Sequence, residues 1–416
     1  MTDKFQTSIK NTIFNLLPIN EQEFIEQKSY DLKLSFQDIK QTINIARDLR
    51  MWDEKTLLDI FPQHENKKVV MSRLKKVYAE LRKATNSYEN FTLKNIAKEQ
   101  KYTFTTKEKE GFGLGLCPVA SEKTRCCNLL TLDAVESCGF DCSYCSIQSF
   151  YNQNTITFDS GFKDKLLNLK LEPNKTYHIG TGQASDSLMF GNREGVLDAL
   201  FLFAKNNPNV ILEFKTKSDN IKYFLENEVP KNIICTWSLN TQTIINNEEH
   251  LTASLNKRVS SARKLADKGV KVGFHFHPIV QYIDYLDEYK EVYDLLQKTF
   301  TSQEVALVSF GTLTFIKPVI KQLRGREFKS KITQIPMHDA SGKSSYPDEI
   351  KKEMFQHAYE SFSSWQDSDS KVFFYLCMEE HSMWEKTFGY QYSTNNDFEQ
   401  AMLSSYAKKL NMEFLI

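Results

Sequence analysis

The sequence predicts an α/β fold, in which a parallel β-sheet is covered by helices, with a separate helical domain at the N-terminus. Two observations lead to this fold class. From about residue 128 onwards, short apolar runs alternate with amphipathic stretches, which is the pattern of strands joined by crossover helices. Before about residue 95, apolar residues instead recur at helical spacing. The alternation is compatible with an open sheet and with a complete or partial barrel.

The N-terminal region, residues 1–95, is predicted to be a helical domain. Between residues 65 and 84 there are seven basic residues against two acidic ones, which predicts either a solvated outer face or a face that contacts phosphates. Residues 96–127 carry mixed charge and are predicted to be a connecting segment. The apolar residues at helical spacing are Phe36, Ile39, Ile43 and Ala46, followed by Val70, Leu74, Val77 and Leu81. The basic residues are Lys67, Lys68, Arg73, Lys75, Lys76, Arg82 and Lys83.

The predicted sheet comes from a series of apolar runs that follow residue 128. The stretches 193–206 and 254–269 between them are amphipathic and are predicted helices. Gly269 stands where a helix C-cap is expected. The predicted strands are NLLTLDAV (128–135), YHIGTG (177–182), NVILEFKTK (209–217), NIICTWSLN (232–240), KVGFHFHPIV (271–280), EVALVSFGTL (304–313) and KVFFYLCM (371–378).

Composition narrows the class of protein. A chain of 416 residues has room for two or three domains, and 41% hydrophobic with 25% charged residues is typical of a globular protein with a sizeable core. Glycine contributes 15 residues, roughly half the usual share, so composition does not favour a glycine-rich phosphate loop. The 53 basic and 53 acidic residues cancel. A nucleic-acid partner would therefore have to be held by a local patch.

The chain is predicted to be cytoplasmic. No apolar run approaches the roughly 20 residues that a membrane-spanning helix needs. The start, MTDKFQTSIK, lacks the apolar core of a secretory signal. In the cytoplasm the eight cysteines should be reduced, so a cluster of them indicates metal binding or catalysis rather than disulfides.

Three cysteines, Cys138, Cys142 and Cys145, form the pattern C-x3-C-x2-C. They follow the first predicted strand, at the carboxyl edge where α/β proteins place their chemistry. Three thiolates can hold three irons of a [4Fe–4S] cluster and leave the fourth iron open, whereas electron-transfer ferredoxins use four cysteines. The alternative is a zinc site completed by Cys117, Cys126 or Cys127, which is disfavoured because zinc sites usually pair two short ligand hairpins.

This motif, with Tyr144 just before the last cysteine, resembles that of the radical S-adenosylmethionine superfamily. More narrowly, residues 128 to about 385 resemble the spore photoproduct lyase family, whereas the first 95 residues carry no such resemblance. The resemblance implies a partial (β/α)6-type barrel over residues 128–385, followed by a C-terminal helical extension over 386–416. The segments that carry it are GTGQASDSL (180–188), LEFKTKSDN (212–220), WSLNTQ (237–242), TASLNKRVSSARKLADKGVKVGFHFHPIV (252–280) and YLCMEEHSMW (375–384).

The resemblance also implies roles for individual residues. Cys138, Cys142 and Cys145 would ligate the cluster, and Tyr144 would pack against adenosylmethionine or lie on the hydrogen-atom path. A cationic Lys217 suits the cofactor carboxylate, although the residue could also be a surface charge that ends a strand. The remaining cofactor candidates are Gly180, Thr181, Gly182 and Ser185, with Ser238 and Asn240, which share one strand face and could otherwise be strand-end caps.

Two positions depart from the family pattern. Gln183 stands where the lyases have the cysteine that donates a hydrogen atom, and Ser146 replaces a second tyrosine of their radical relay. Cys377 is a candidate replacement donor, with a buried apolar cysteine as the alternative. His275 and His277 share one strand face, so they either line a substrate cavity or are packed in the core. Cys117, Cys126 and Cys127 could hold a second metal.

The function that follows is a radical S-adenosylmethionine enzyme of the spore photoproduct lyase family. Such an enzyme reductively cleaves adenosylmethionine to a 5′-deoxyadenosyl radical, which abstracts hydrogen from the substrate. The resemblance implies a nucleic-acid substrate such as a DNA lesion, and an electron donor such as flavodoxin or ferredoxin. Two alternatives stay open: a radical enzyme that acts on a peptide or small molecule, and a non-catalytic iron–sulfur or zinc-binding protein.

Overall fold

The computed structural model describes residues 2–91, 102–110, 114–117, 123–150, 154–340, 342–366 and 370–415. Helices and strands are numbered along the chain. The helices are α1 (Thr2–Ile9), α2 (Ile19–Asp31), α3 (Phe36–Trp52), α4 (Leu57–Ile60), α5 (Lys67–Lys83), α6 (Phe162–Leu167), α7 (Val196–Asn206), α8 (Lys222–Glu226), α9 (Gln242–Glu248), α10 (Leu255–Asp267), α11 (Tyr285–Thr299), α12 (Lys317–Arg324), α13 (Asp348–Ser361), α14 (Ser363–Gln366), α15 (His381–Phe388) and α16 (Asn395–Leu410). The strands are β1 (Thr103–Lys107), β2 (Leu114–Leu116), β3 (Leu130–Leu132), β4 (Val135–Glu136), β5 (Asp141–Cys142), β6 (Thr155–Asp159), β7 (Tyr177–Thr181), β8 (Val210–Thr216), β9 (Ile233–Ser238), β10 (Glu249–His250), β11 (Lys271–Ile279), β12 (Val305–Thr312), β13 (Thr314–Phe315), β14 (His338–Ala340), β15 (Lys343–Ser345) and β16 (Phe373–Leu376).

The chain folds into two compact units. The first comprises residues 1–98, 281–283 and 314–346. The second comprises residues 99–280, 284–313 and 347–416. In the described ranges, no helix combines the length and apolar character that crossing a bilayer requires.

The first unit is helical, with a short antiparallel sheet of β13, β15 and β14. Its core is built around α3, where Leu49 and Trp52 are fully buried. The Trp52 indole N–H donates to Thr333 Oγ1 at 2.9 Å, so the later segment is tied to the first helices of the unit. The Arg324 guanidinium donates two hydrogen bonds, of 2.7 and 2.6 Å, to the Asp48 carboxylate. This bidentate ion pair also joins the later segment to α3.

The second unit contains a sheet of eight strands in the order β16-β12-β11-β9-β8-β7-β3-β2. Every neighbouring pair from β16 to β3 is parallel, and β2 is antiparallel to β3. Thr124, before β3, forms an antiparallel bridge with Glu380, after β16. Because this bridge joins segments next to opposite ends of the sheet, the sheet is curled into a partial barrel. The predicted α/β fold class is thereby confirmed.

The sheet forms where the sequence predicts it because both faces of its central strands are covered. All residues of β9 and β12 are buried, which explains their nearly continuous apolar runs. The helix predicted over 254–269 is α10, which begins after the N-cap Ser254. Gly269 follows it with a φ of +88°, a conformation that favours glycine. The helix prediction is confirmed, whereas the C-cap is Lys268 and Gly269 is the residue after it.

The segment predicted as a connection, 96–127, contains two strands among its described residues. β1 pairs with β6, and β2 lies at the end of the central sheet. Both strands are short and largely exposed, so they carry none of the apolar patterning by which buried strands are recognised. The domain boundaries drawn from the sequence stay predictions.

Candidate functional site

The three motif cysteines lie on the cysteine loop (residues 138–145), which follows β4 and includes β5, and backbone pairing holds this loop in place. β5 pairs antiparallel with β10, which places Cys142 opposite Glu249. The Ser143 amide donates to the Glu248 carbonyl at 2.8 Å, and the Cys145 amide donates to the Cys142 carbonyl at 3.1 Å. Cys142 is buried, whereas Cys138 and Cys145 are half-buried. The motif therefore presents its thiols from a loop with a fixed backbone.

The three thiols form one electrostatic group. Burial raises the pKa of Cys138 and of Cys142 well above the ordinary value, and the charge of Cys145 raises both further. The Lys217 ammonium acts in the opposite direction on both pKa values. Since metal ligands must be thiolates, this site favours deprotonation only when additional positive charge is present.

Glu249, on β10, is the central anion of the site and is buried. It accepts a 2.6 Å ion pair from Arg258 Nη2, and Lys217 Nζ lies 3.8 Å from its other oxygen. The Tyr144 hydroxyl and, at 3.2 Å, Asn240 Nδ2 donate to the same oxygen. Burial by itself would raise the pKa of Glu249, but the two cations and the Tyr144 hydrogen bond bring it down to about 2. Glu249 is thus a permanent carboxylate beside the cysteine loop.

Arg258, on α10, is fully buried and satisfies its donors within the site. Besides Glu249, it donates to the Ala253 carbonyl at 2.8 Å and to Thr252 Oγ1 at 2.7 Å. A further donor reaches the Ser238 carbonyl at 2.7 Å. Arg258 therefore ties the carboxyl end of β9 to β10. Neither Arg258 nor Glu249 was predicted from the sequence.

Lys217 and Tyr144, both predicted site residues, are brought together. Lys217 Nζ lies 5.6 Å from the centroid of the Tyr144 ring, within the range of a cation–π contact. The Lys217 amide donates to Asp186 Oδ2 at 2.8 Å, and the Thr216 hydroxyl donates to Asp186 Oδ1 at 2.7 Å. Asp186, which sequence reasoning did not single out, therefore fixes the backbone from which Lys217 extends.

The predicted residues Gly180 and Thr181 end β7, and Gly182 begins the turn that follows it. Gly182 has a φ of +74°, and an added Cβ would lie 2.6 Å from Ser187 Oγ, so only glycine fits. The Thr181 hydroxyl donates to Ser187 Oγ at 2.8 Å. Backbone groups of this turn are thus held in place at the carboxyl end of the strand.

The segment that follows connects this turn to the cysteine loop. The Ser185 hydroxyl donates to the Ser137 carbonyl, next to Cys138, at 2.7 Å. The Ala184 amide donates to Asp133 Oδ1 at 2.8 Å. Ser185 therefore holds the backbone next to Cys138 in place.

Ser238 and Asn240 lie at the end of β9, as predicted, and both are buried. Asn240 Nδ2 donates to Glu249 and, at 3.1 Å, to the Pro278 carbonyl, while its Oδ1 accepts from the Tyr289 hydroxyl. Its polar atoms are therefore engaged inside the protein, where they hold Glu249 in position.

Four further cysteines surround a small cavity at the end of β16. The cavity has a volume of about 30 Å³ and is lined by Cys117, Cys126, Cys127 and Cys377. A hydrogen bond with Cys127 lowers the pKa of Cys126 to about 6, whereas burial raises that of Cys377 to about 12. Cys117 Sγ lies 4.0 Å from the side-chain nitrogen Nε2 of Gln183. Gln183 therefore contacts, through Cys117, the group of thiols to which Cys377 belongs.

The spacing of the possible metal ligands bears on the zinc alternative. In the part of the chain that the structure describes, no three His, Cys, Asp or Glu side chains stand close enough to hold one metal ion. That statement covers both groups of cysteines. A cubane distributes its protein ligands over separate irons, so the same spacing does not exclude a cluster.

A family model described as spore photoproduct lyase matches residues 64–347, which is more than half of the chain. The match begins at residue 64, whereas the resemblance seen in the sequence begins at residue 128.

Two curated relatives are spore photoproduct lyases. One, from Clostridium acetobutylicum, is 26% identical over 39% of this chain and 49% of the relative. The other, from a Geobacillus species, is 27% identical over 29% of this chain and 36% of the relative. The chain thus matches about half, or less, of the length of these relatives.

Solved structures show a similar fold. Spore photoproduct lyase complexed with dinucleoside spore photoproduct aligns with a TM-score of 0.55 and 18% identity, over 69% of this chain and 88% of that one. A double mutant of the lyase with bound AdoMet and the same dinucleoside aligns with a TM-score of 0.52 and 17% identity, over 66% of this chain and 82% of that one. On the match of the family model to residues 64–347, the chain belongs to the spore photoproduct lyase family.

Proposed function

We propose that the protein is a radical S-adenosylmethionine enzyme whose [4Fe–4S] cluster is held by Cys138, Cys142 and Cys145. The observation that carries the proposal is the fixed loop that presents the three thiols beside Lys217 and Glu249, at the carboxyl ends of a curled parallel sheet. Membership of the spore photoproduct lyase family supports it, as does the relative described with bound AdoMet.

The residues present fit a cluster with one open coordination position. Three thiols of one loop feel each other's charge and that of Lys217, so a cationic cluster would offset the cost of burying thiolates. When bound, the reduced cluster supplies the electron that cleaves adenosylmethionine to methionine and a 5′-deoxyadenosyl radical.

The protein's own residues bind and orient the cofactor. Lys217 is only loosely paired with Glu249, at 3.8 Å, so its ammonium can also hold the methionine carboxylate. Backbone carbonyls of residues 180–182 accept hydrogen bonds that the methionine amino group donates. Asn240 and Arg258 are positioning residues, because they hold Glu249 and the end of β9.

We assign the substrate to nucleic-acid lesions as a class, and the hydrogen-atom donor to Cys377. A relative is described in complex with dinucleoside spore photoproduct, which supports the class. Gln183 cannot donate a hydrogen atom, and it lies in the group of thiols to which Cys377 belongs. Because burial raises the pKa of Cys377 to about 12, its thiol stays protonated at neutral pH and retains the hydrogen that a donor needs. Tyr144 lies beside Lys217 and is assigned to cofactor packing.

Anaerobic reconstitution with iron and sulfide, followed by dithionite and adenosylmethionine, tests the proposal. We expect four irons per chain and formation of 5′-deoxyadenosine. Cys142→Ala should abolish both, whereas Cys235→Ala, which removes a thiol buried elsewhere in the sheet, should retain both. A full iron complement in the triple Cys→Ala variant of the motif would contradict the ligand assignment. Iron binding without 5′-deoxyadenosine would indicate a non-catalytic iron–sulfur protein.

The substrate assignment has its own test, anaerobic incubation with dinucleotide spore photoproduct and chromatography of the thymine product. Because Cys377, and not a cysteine at position 183, is the proposed donor, we expect adenosylmethionine cleavage with inefficient repair, in which Cys377 quenches only part of the product radical and the rest forms adducts. Gln183→Cys should increase the clean product, and Cys377→Ala should remove what the unmodified protein makes. Clean multiple-turnover repair that survives Cys377→Ala would refute the donor assignment.

A further inference from the structure

Strand β8 presents Glu213 and Lys215 at alternate positions, so both lie on one face of the sheet, and Lys217 follows directly after the strand at the same spacing. Glu213 and Lys217 each have a polar partner that can offset their charge. Glu213 accepts from His178 Nε2 and His275 Nε2, both at 2.7 Å, and Lys217 pairs with Glu249. Lys215 lies between them and differs from both.

The polar contact of Lys215 is with a neutral side chain. Its Nζ faces His277 Nδ1 at 3.5 Å. Among the described residues, no carboxylate forms an ion pair with it, since that of Glu213 is taken by histidines and that of Glu249 by Arg258 and Lys217. Lys215 is half-buried, and burial lowers its pKa. A largely desolvated ammonium without a carboxylate is costly unless a ligand supplies the anion.

The hydrogen bonds around His277 run in one direction, which can be worked out from Lys215. An ammonium only donates, so His277 Nδ1 accepts and its Nε2 carries the proton. That proton is donated to Ser309 Oγ at 2.9 Å. The Ser309 hydroxyl then donates to His275 Nδ1 at 2.6 Å, which leaves His275 Nε2–H to donate to Glu213 at 2.7 Å.

This chain of hydrogen bonds is anchored at its far end. The Glu213 carboxylate also accepts from the Thr236 hydroxyl at 2.7 Å, and hydrogen bonds from His178 and His275 hold its pKa well below the ordinary value despite burial. Both tautomers and the Ser309 rotor are thereby fixed. His277 consequently presents a lone pair to Lys215 and occupies one of its three N–H donors.

The surroundings of Lys215 connect it to the proposed reaction. The His277 ring and the Cys377 carbonyl both lie next to Gly311, since a Cβ on Gly311 would stand 3.2 Å from His277 Cδ2 and 3.5 Å from the Cys377 oxygen. Against the larger effect of burial, the Lys215 charge also lowers the pKa of Cys377, one of the thiols that line the cavity at the end of β16. Thiols are weak acceptors and do not replace an anion. Within the described ranges, two N–H donors of Lys215 therefore remain for a ligand close to the proposed hydrogen-atom donor.

We propose that Lys215, oriented by His277, binds an anionic oxygen group of the substrate, a phosphate or a carboxylate, beside Cys377. The proposal rests on the proposed function in that the ligand is the enzyme's substrate. It narrows the substrate class to molecules that carry a negative charge near the reacting carbon. Lys215 is the binding residue, and His277 is a positioning residue.

Equilibrium binding with three probes tests the anion requirement. The probes are thymidylyl-(3′→5′)-thymidine, its uncharged methylphosphonate analogue and malonate, titrated into the reconstituted protein with adenosylmethionine. We expect the phosphodiester or malonate to bind and the methylphosphonate to bind at least tenfold more weakly than the phosphodiester. Preference for the phosphodiester identifies a phosphate subsite, and preference for malonate a carboxylate subsite. Binding of neither anion overturns the proposal, as does equal binding of the methylphosphonate and the phosphodiester when malonate does not bind.

Variants locate the binding at Lys215. Lys215→Met keeps the length and removes the charge, so it should weaken binding of the preferred anion at least tenfold. Lys222→Met, a change at an exposed lysine, should have no effect. His277→Gln preserves an acceptor toward Lys215 and a donor toward Ser309, so it should bind nearly normally, whereas His277→Leu should not. Unchanged binding by Lys215→Met, with a native circular dichroism spectrum, refutes the assignment.

Protection of the amine gives a readout that does not depend on activity. Reductive methylation followed by peptide mass spectrometry should show that the preferred anion slows modification of Lys215 but not of Lys222. Equal rates at Lys215 with and without the anion would count against the proposal. If 5′-deoxyadenosine forms while anion binding ignores Lys215, the subsite is wrong and the enzyme assignment stands. If the anion protects Lys215 but no 5′-deoxyadenosine forms, the anion subsite stands and the enzyme assignment is wrong.

Discussion

Lys217 is shared between a carboxylate and an aromatic ring, and this arrangement decides what its removal should do. Glu249 retains Arg258 as a partner at 2.6 Å, so the loss of Lys217 leaves no unpaired buried charge. The cofactor carboxylate, in contrast, would lose its cation. We therefore expect Lys217→Ala to weaken adenosylmethionine binding by about 1.5–3 kcal/mol, roughly 10- to 150-fold.

Isothermal titration of adenosylmethionine into reconstituted protein measures this effect. Iron content should be unchanged in Lys217→Ala, because the residue is not a ligand. Lys222→Ala, at an exposed position on α8, is the matched control and should bind normally. Normal affinity in Lys217→Ala would mean that the residue is only a charge at the end of a strand.

Cys126 has a different chemistry from the other thiols. Because a hydrogen bond with Cys127 lowers its pKa to about 6, we expect alkylation by iodoacetamide to rise with pH around a midpoint near 6. Cys127→Ala should move the midpoint back toward the ordinary thiol value of 9.0. Peptide mass spectrometry across pH 5–9 measures the rates. Cys235, fully buried on β9, should stay unmodified. A midpoint near 9 in the unmodified protein would contradict the contact.

Single residues of the site were predictable to the extent that a local pattern carries them. The cysteine spacing is local, and so is the placement of Lys217 at the end of a strand. Glu249 meets Cys142 through pairing of β5 with β10, a contact between distant segments that has no local signature. Arg258 did leave a trace, since it falls on the same helical face as the apolar residues Leu255, Ala262 and Leu265. An arginine on a buried face indicates a buried ion pair.

Secondary-structure elements were predicted well where burial is complete and poorly where it is not. β8, β9, β11 and β12 are long apolar runs because helices and the barrel interior cover both faces. β2 has three residues and an exposed end, and it owes its place to pairing with β3 rather than to its own sequence. The bridge between Thr124 and Glu380, which lies outside the strands, is equally non-local.

The buried histidine on β11 couples the stability of this element to pH. Burial lowers the pKa of His275 to about 4 from 6.5. Between these values the unfolded chain binds a proton that the folded chain does not, so stability is lost as the pH falls from 6.5 towards 4. From pH 7 to pH 5 this one group should cost about 2 kcal/mol of unfolding free energy.

Urea unfolding at pH 7 and pH 5 measures this cost by difference. His275→Gln can still donate to Glu213 and accept from Ser309, but it cannot titrate. Its loss of stability between the two pH values should therefore be smaller than that of the unmodified protein by about 2 kcal/mol. The same loss in both proteins would mean that His275 is protonated in the folded state.

At the scale of the whole molecule, the two units differ in how much the sequence reveals of them. Residues 314–346 belong to the same unit as residues 1–98, through contacts such as that of Trp52 with Thr333. Such a contact joins positions far apart in the chain, and neither segment has a repeat or motif that indicates it. The helical character of residues 1–95, in contrast, follows from local spacing and is confirmed in α1 to α5.

The net charge of zero makes the basic face of α5 the feature on which nucleic-acid binding should depend. Lys68, Arg73, Lys75 and Lys76 are exposed on this helix, so both the solvated face and the phosphate-contacting face remain consistent with the structure. Under the proposed function we expect the second. Each phosphate contact contributes about −0.9 to the slope of log K against log salt for duplex DNA. Replacing Lys68, Lys75 and Lys76 by Gln should therefore flatten the slope by about 2 to 3.

Fluorescence anisotropy of a labelled duplex between about 50 and 200 mM salt gives that slope. The matched control replaces Lys222, Lys231 and Lys264, three exposed lysines of the other unit, and removes the same net charge. If the two triple variants lose slope equally, binding follows total charge and α5 is no more than a solvated face. If only the α5 variant loses it, the patch is local. That outcome is the one expected of a protein whose overall charge is balanced, because the long-range field then cannot hold DNA and a cluster of neighbouring cations must do so.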